Sequence, residues 1–380
     1  MALPELGAFG DLTAVADLPT PAFLLDEGAA EHNIAHTIEL LGGAERWRAH
    51  VKTARTSWTI DRLLAAGVTR FKASSIAELA VLLERGAPDA LLAYPAVGPM
   101  QAAAAALATQ YPQARISALV DNAAALAGWR GGLGAFVDID TGMHRTGVAV
   151  EDQAGLLELV ARLVGQGIEL HGLHAYDGHL ADAGADERAS EVSHRMRQLA
   201  ALASAVEAAG QPVPELSVGS SHTFLDSCRA VVDDRCPLIT VGVGTAVYND
   251  ARSLARYAKA PGTAGYRRAG AVLTRVVSRG AGRATVDAGL TAVQVDAGRP
   301  HAQVLGHAGV LVGAPSQEHL VLTGEVPPLA VGELLLLLPR HVDTALAQFD
   351  VLYRIAADGR VVREDVIGRR HAESIYSSLD

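Results

Sequence analysis

Lysine is nearly absent from this 380-residue chain: Lys52, Lys72 and Lys259 are the only three, so almost all of the 32 basic residues are arginine. Chemistry that needs a side-chain amine is therefore confined to three positions. Positive charge is short as a whole, with 42 acidic residues giving a net charge of -10, which leaves no basic field for phosphate backbones or anionic lipid. No nucleic-acid partner is expected. Long apolar runs are missing too: Leu334 to Pro339 falls far below the roughly 20 residues of a membrane-spanning helix, and Met1 to Gly10 lacks a basic segment leading into an apolar core. A soluble, cytoplasmic protein without a membrane partner is expected. The two cysteines, Cys228 and Cys236, fit neither a disulfide framework nor a zinc ribbon, and read as buried or half-buried thiols. Against these absences stands a composition 49% hydrophobic and 19% charged, with mean hydropathy +0.20. Such a chain can bury a large core, as one large domain or two smaller ones.

From residue 22 to about 250, short apolar runs alternate with longer segments of helical period, the pattern of parallel strands linked by helices. Strands are expected at Ala22 to Leu25, Trp47 to Lys52, Arg70 to Ala73, Ala90 to Tyr94, Ile116 to Val120, Ala135 to Ile139, Leu170 to Tyr176 and Leu216 to Val218. Helices are expected at Ala29 to Leu41, Ile76 to Arg85 and Leu156 to Gly165. Eight strands match a (β/α)8 TIM-type barrel. A doubly wound sheet would carry G-x-G-x-x-G after its first strand, where this chain has Asp26, Glu27 and a single Gly28. Beyond about residue 265 the texture becomes short strands between Gly and Pro turns: Ala271 to Val277, Ala284 to Val286, Val304 to Leu305, Leu320 to Leu322, Glu333 to Leu338 and Phe349 to Ile355. The expected architecture is thus an α/β barrel over 22–255 followed by a C-terminal all-β domain built from 256–380 with 1–21. Arg256 to Gly270 is the expected linker.

Barrel chemistry sits at the carboxyl ends of the strands. Polar residues gather there: His50, Lys52 and Thr53; Ser74 and Ser75; Asp138, Asp140 and Arg145; Tyr176 and His179; Ser220, Ser221 and His222. Lys52 closes an expected buried strand, where desolvation lowers an ammonium pKa and frees a neutral amine to condense with an aldehyde. Lys72 also ends a strand, so position alone leaves both open. Lys259 falls in the linker.

Arg48-Ala-His-Val-Lys52-Thr-Ala-Arg55 resembles the R-P-H-x-K-T-H-K motif of the D-threonine aldolase and eukaryotic-type D-serine dehydratase family, whose barrel is similar to that of alanine racemase. The resemblance implies pyridoxal 5′-phosphate held as a Schiff base on Lys52. Ala49, Ala54 and Arg55 depart from the motif's Pro, His and Lys. Asp138 to Gly147 resembles the D-x-G-x-x-R-x-G segment, implying that Arg145 approaches the cofactor's phenolic oxygen; an arginine pairing with Asp138 or Asp140 is the alternative. Val218-Gly-Ser-Ser-His-Thr223 occupies the place of the family's phosphate loop, and Gly242 to Asp250 resembles P-G-T-Y-x-x-N-D. Ser221, Thr223, Gly244 and Thr245 are the implied phosphate partners. Gly172 to His179 matches G-x-x-x-Y-x-G-H, which sets Tyr176 against the cofactor and makes His179 a general base. Val286-Asp-Ala-Gly289 and Ser316-Gln-Glu-His319 also fit the family and are read as packing and turn segments.

Pro339-Arg-His341-Val-Asp343 resembles the family's P-x-H-x-C or P-x-H-x-D, which supplies two protein ligands of a divalent metal. His341 and Asp343, as alternate residues of one strand, would face the same way. A carboxylate beside an imidazole accepts Mn2+, Mg2+, Ca2+ or Co2+ as well as Zn2+, whereas a thiolate favours zinc, so Asp343 points to the aldolase branch. The implied reaction is retro-aldol cleavage of a D-3-hydroxy amino acid such as D-threonine to glycine and an aldehyde. A D-serine or D-3-hydroxyaspartate dehydratase on the same scaffold is the alternative. An amino-acid racemase is disfavoured because Asp287-Ala-Gly-Leu has no tyrosine for a second base, and a catalytically silent cofactor carrier is disfavoured by the β domain with its His341 and Asp343. The resemblance also implies a homodimer.

Overall fold

The computed structural model describes residues 4–230, 237–258 and 263–367, so Cys236 and Lys259 lie outside the described residues. The chain divides into two compact units. One runs through Ile38–Arg55 and Thr59–Gly244; the other holds the residues up to Thr37, then Thr56–Trp58 and Thr245–Ile367.

In chain order the strands are β1 (Ala22–Asp26), β2 (Arg48–His50), β3 (Arg70–Ala73), β4 (Asp89–Pro95), β5 (Arg115–Val120), β6 (Gly134–Asp140), β7 (Val148–Ala149), β8 (Leu170–Ala175), β9 (Glu215–Val218) and β10 (Leu238–Val241). The first unit is an eight-stranded parallel sheet in the order β10-β9-β8-β6-β5-β4-β3-β2, with the short β7 beside β6. It curls back on itself, because Trp47 bridges Val241, the His50 N–H donates to the Val243 carbonyl at 3.0 Å and the Trp47 indole N–H donates to the same carbonyl at 2.9 Å. Parallel strands require crossovers, supplied here by α2 (Ser57–Ala65), α3 (Ile76–Glu84), α4 (Pro99–Gln110), α5 (Gln153–Gly165) and α6 (Ala185–Ala208), whereas α1 (Glu27–Leu41) follows β1 and lies mostly in the other unit. Helix α3 starts where Ser75 caps the Glu78 N–H at 3.2 Å, the arrangement that satisfies an orphan first-turn donor.

The eight-stranded barrel matches expectation, but its membership differs at one strand. β1 pairs outside it, and β10, next to the undescribed 231–236, takes the eighth place.

α7 (Phe224–Arg229) belongs to the barrel unit, whereas α8 (Ala251–Tyr257) and α9 (Val342–Leu346) belong to the other unit. Its strands are β11 (Gly270–Gly280), β12 (Arg283–Val286), β13 (Ala302–Val304), β14 (Val310–Val312), β15 (Leu320–Gly324), β16 (Leu334–Pro339), β17 (Val351–Ile355) and β18 (Val361–Asp365). The order is β14-β15-β12-β11-β1-β17-β18, with β16 joining β11 to β13. β1 lies antiparallel to β11 and parallel to β17, and all five of its residues are buried. Phe9, Val15, Leu24, Leu273, Leu336 and Ile355 form part of the core there. The described part of Arg256 to Gly270 packs within this unit: the Arg267 N–H donates to Asn33 Oδ1 at 2.8 Å.

Candidate active site

Parallel strands bring their carboxyl ends to one rim, and the first unit collects its chemistry there. β2 stops at His50, so Lys52 sits on the turn after the strand and is half-buried. Its N–H donates to His50 Nδ1 at 3.4 Å, and its carbonyl accepts from Arg55 Nε at 2.5 Å. Arg55 in turn pairs with Glu78 at 3.3 Å. The buried-strand environment expected for Lys52 belongs instead to Lys72, which is only 3% exposed. Burial lowers the Lys72 ammonium to about 7 with help from the charge of Arg48, against the pull of Glu215, Asp138 and Asp177.

At the end of β6, Asp138 accepts from Thr146 Oγ1 at 2.7 Å and bonds His174 Nδ1 at 2.7 Å. Burial opposes its charge, yet the His174 and Thr146 hydrogen bonds and the nearby Arg145 hold the carboxyl below its usual range. Burial pushes the His174 imidazole down, and the charge of Lys72 adds to this. Asp140 bonds His144 Nδ1 at 3.0 Å and accepts the Gly142 N–H at 2.9 Å. With both carboxylates so occupied, Arg145 makes an ion pair with neither of them; its guanidinium carbon stands 4.8 Å above the centre of the Tyr176 ring. That contact places two expected cofactor residues together.

His179 is exposed in the turn after Tyr176, its Nε2 3.1 Å from where a β-carbon on Gly142 would stand. In the loop after β9, Ser221 Oγ accepts the Gly244 N–H at 3.2 Å, so the two expected phosphate loops meet. Thr223 ties its loop to the one after β8: its hydroxyl donates to Asp177 at 2.7 Å and accepts the Ser220 N–H at 2.9 Å. Burial pushes the Asp177 carboxyl up.

The other unit carries the remaining residues. His341 immediately precedes α9 and Asp343 lies in its first turn, so the pair is not on a strand as expected. A strand-to-helix turn still aims them at each other, with His341 Nε2 and Asp343 Oδ2 3.9 Å apart. Asp296 bonds His341 Nδ1 at 2.5 Å, which fixes the tautomer that leaves the Nε2 lone pair outward. Thr245 Oγ1 donates to Asp343 Oδ1 at 3.1 Å, leaving Oδ2 toward the imidazole. Asp250 Oδ2 accepts the Val342 N–H at 3.3 Å, and its Oδ1 caps α8 through the Ser253 N–H at 2.7 Å. An imidazole held by a carboxylate beside a second carboxylate is a donor set that suits a divalent ion. Among the described residues no group of three or more His, Cys, Asp or Glu could hold a metal ion.

Sequence reasoning missed Asp296, which precedes His341 by 45 residues and belongs to no motif. The V-D-A-G and S-x-E-H segments pack together: a β-carbon on Gly289 would stand 2.4 Å from the Ser316 carbonyl, and Asp287 accepts from Thr274 Oγ1 at 2.6 Å and the Arg275 N–H at 2.9 Å.

The alanine racemase N-terminal domain matches residues 25–251, and a putative serine dehydratase domain matches 269–355. The chain is 28% identical over 384 residues to D-threo-3-hydroxyaspartate dehydratase of Delftia sp. (strain HT23), covering 90% of this chain and 96% of the relative. Among solved structures, a D-threonine aldolase from Filomicrobium marinum superposes with a TM-score of 0.84 at 25% identity, covering 94% of this chain and 97% of that one. The Delftia dehydratase superposes with a TM-score of 0.80 at 26% identity, covering 93% and 98%. The fold extends to alanine racemase from Bacillus anthracis, with a TM-score of 0.63 at 16% identity over 90% and 97% of the two chains. No described helix is long and apolar enough to cross a membrane. The chain belongs to the alanine racemase N-terminal domain family, its barrel joined to a putative serine dehydratase domain.

Proposed function

We propose that the protein is a pyridoxal phosphate- and divalent metal-dependent lyase that cleaves D-3-hydroxy amino acids such as D-threonine to glycine and an aldehyde. The observation that carries this reading is the pairing of His341 with Asp343 at 3.9 Å, with Asp296 holding the imidazole. When bound, the coenzyme supplies an electron-accepting ring, and the divalent ion supplies a Lewis acid that makes a hydroxyl more acidic.

The chain's own residues divide the remaining work. Lys52 holds the coenzyme's aldehyde carbon. Arg145, steadied over Tyr176, donates to the phenolic oxygen. Ser221, Gly244 and the N–H groups of their loops cradle the phosphate, with Thr245 completing that loop and bracing Asp343. Thr223 serves the cradle by fixing Ser220. His341 and Asp343 hold the ion, and the exposed imidazole of His179 takes the proton from the substrate's β-hydroxyl. The substrate then breaks between Cα and Cβ. A homodimer completes the proposal.

The 28% identity to a hydroxyaspartate dehydratase supports a second reading, loss of water and then ammonia from the same substrate class. Incubation with D-threonine, pyridoxal phosphate and a manganese salt separates them: glycine with acetaldehyde is expected, and 2-oxobutyrate with ammonia overturns the aldolase in favour of the dehydratase.

A further inference from the structure

Lys72 is a buried, chemically capable side chain to which the proposed reaction gives no task. It lies on β3 level with His50 of β2, one step below the turn that carries Lys52. Its amine stands 2.7 Å from where a β-carbon on Gly242 would be, and the Gly219 carbonyl is 3.3 Å from that same point. Gly242 follows β10 and Gly219 follows β9, so the amine reaches the base of the loops that bear Gly244 and Ser221. A side chain at 242 would occupy the amine's place.

Among the described residues no hydrogen bond or ion pair reaches this amine, although it is only 3% exposed. The carboxylates that face it are engaged elsewhere. Glu215 bonds Arg48 at 2.7 Å and Thr240 at 2.5 Å; Asp138 bonds His174 and Thr146, each at 2.7 Å; Asp177 accepts from Thr223 at 2.7 Å. Arg48 and His174 are the other titratable neighbours, and Arg48 repels a second positive charge. An amine with donors uncommitted to protein acceptors can donate to an incoming one.

We propose that Lys72 is a cofactor-binding residue whose amine donates a hydrogen bond, from the barrel interior, to the ring nitrogen or a phosphate oxygen of bound pyridoxal phosphate. The inference rests on the reading of the protein as a pyridoxal phosphate enzyme. Its near-neutral pKa agrees, since a buried ammonium that lacks its counter-group in the free protein loses its proton more readily.

The test is equilibrium binding of pyridoxal phosphate and of pyridoxal, which lacks the phosphate, to wild-type and Lys72→Met proteins stripped of cofactor. The variant should bind pyridoxal phosphate about tenfold or more weakly. A penalty that persists with pyridoxal identifies the ring nitrogen as the acceptor; one confined to pyridoxal phosphate identifies the phosphate. Stripped Lys72→Met should melt no lower than stripped wild type while gaining less stability from the cofactor, and Lys72→Gln, which keeps a donor, should recover part of the affinity. Equal affinities of wild type and Lys72→Met for both ligands overturn the inference. So does a stripped variant that melts lower yet keeps the full cofactor-induced gain, the behaviour of a purely structural lysine. Borohydride reduction followed by peptide mapping should place the pyridoxyl group on Lys52; finding it on Lys72 overturns both assignments. Wild-type protein that binds no pyridoxal phosphate sinks the proposed function itself, a result distinct from the others.

Discussion

Arg48 is the residue on which the barrel interior turns. Its guanidinium is fully buried and bonds Glu215 through Nε and Nη2, each at 2.7 Å, and Asp89 through Nη1 and Nη2 at 2.6 and 3.1 Å. Replacing it with an uncharged chain of similar length strips two buried carboxylates of their shortest ion pair and leaves Asp89 only Arg115 at 3.3 Å and Glu215 only Arg70 at 3.6 Å, which costs up to about 3–5 kcal/mol. Arg48→Met should therefore lower the urea midpoint steeply, with little change in the slope of the transition. The same contact sets a pH dependence. Burial works against the Asp89 charge, but Arg48, by its charge and hydrogen bond, holds the carboxyl below its usual value. A group with a depressed folded pKa contributes stability that is present above its unfolded pKa, about 4, and is lost as pH falls through the folded value. Urea unfolding between about pH 4 and pH 2 should show a wild-type loss of stability that is shallower in Arg48→Met.

At the scale of elements, β8 and β9 pair so closely at Gly172 that no side chain fits. A β-carbon there would lie 2.1 Å from the Glu215 carbonyl, a backbone atom that cannot swing aside, and 2.7 Å from the Phe136 ring. Gly172→Ala should cost about 1–3 kcal/mol by overpacking, read as a fall in the urea midpoint. Because Tyr176 follows four residues later, the variant should also weaken cofactor binding more than a surface Ala substitution of equal stability cost. Which strands exist was largely legible from apolar runs, and so were helices α1, α3 and α5, whose three-and-four spacing survives in the structure. Which sheet a strand joins was not. All five residues of β1 are apolar or strand-ending and look like a buried barrel strand, yet its partners come from 270–280 and 351–355, far along the chain. Side-chain period says nothing about pairing partners. Motifs name residues that the structure brings into contact, Arg145 over Tyr176, Ser221 on Gly244 and His341 beside Asp343. The burial of Lys72 and the support from Asp296 depend on tertiary neighbours with no fixed spacing, and the strand expected at 341–343 was overridden by a helix that begins there.

The molecule as a whole is built from two units, each discontinuous in sequence. β1 supplies the strand between β11 and β17, and α1 is fastened within the same unit by Asn33, which donates from Nδ2 to the Val247 and Arg267 carbonyls at 3.0 and 2.9 Å. The chain's first segment therefore completes a sheet whose other strands lie more than 200 residues later. Without it β11 and β17 would face each other across a missing strand, leaving a row of unpaired N–H and C=O groups and exposing Leu273, Leu336 and Ile355 of the core. A fragment of residues 245–380 should accordingly show no cooperative thermal transition by circular dichroism. The same fragment fused to residues 1–41 should regain one, and Asn33→Ala in that fusion should lower its midpoint, since buried backbone groups left unsatisfied cost about 1–3 kcal/mol each. Cooperative melting of 245–380 alone would mean that β11 and β17 close the gap by themselves, and that the first segment only decorates a sheet able to form without it.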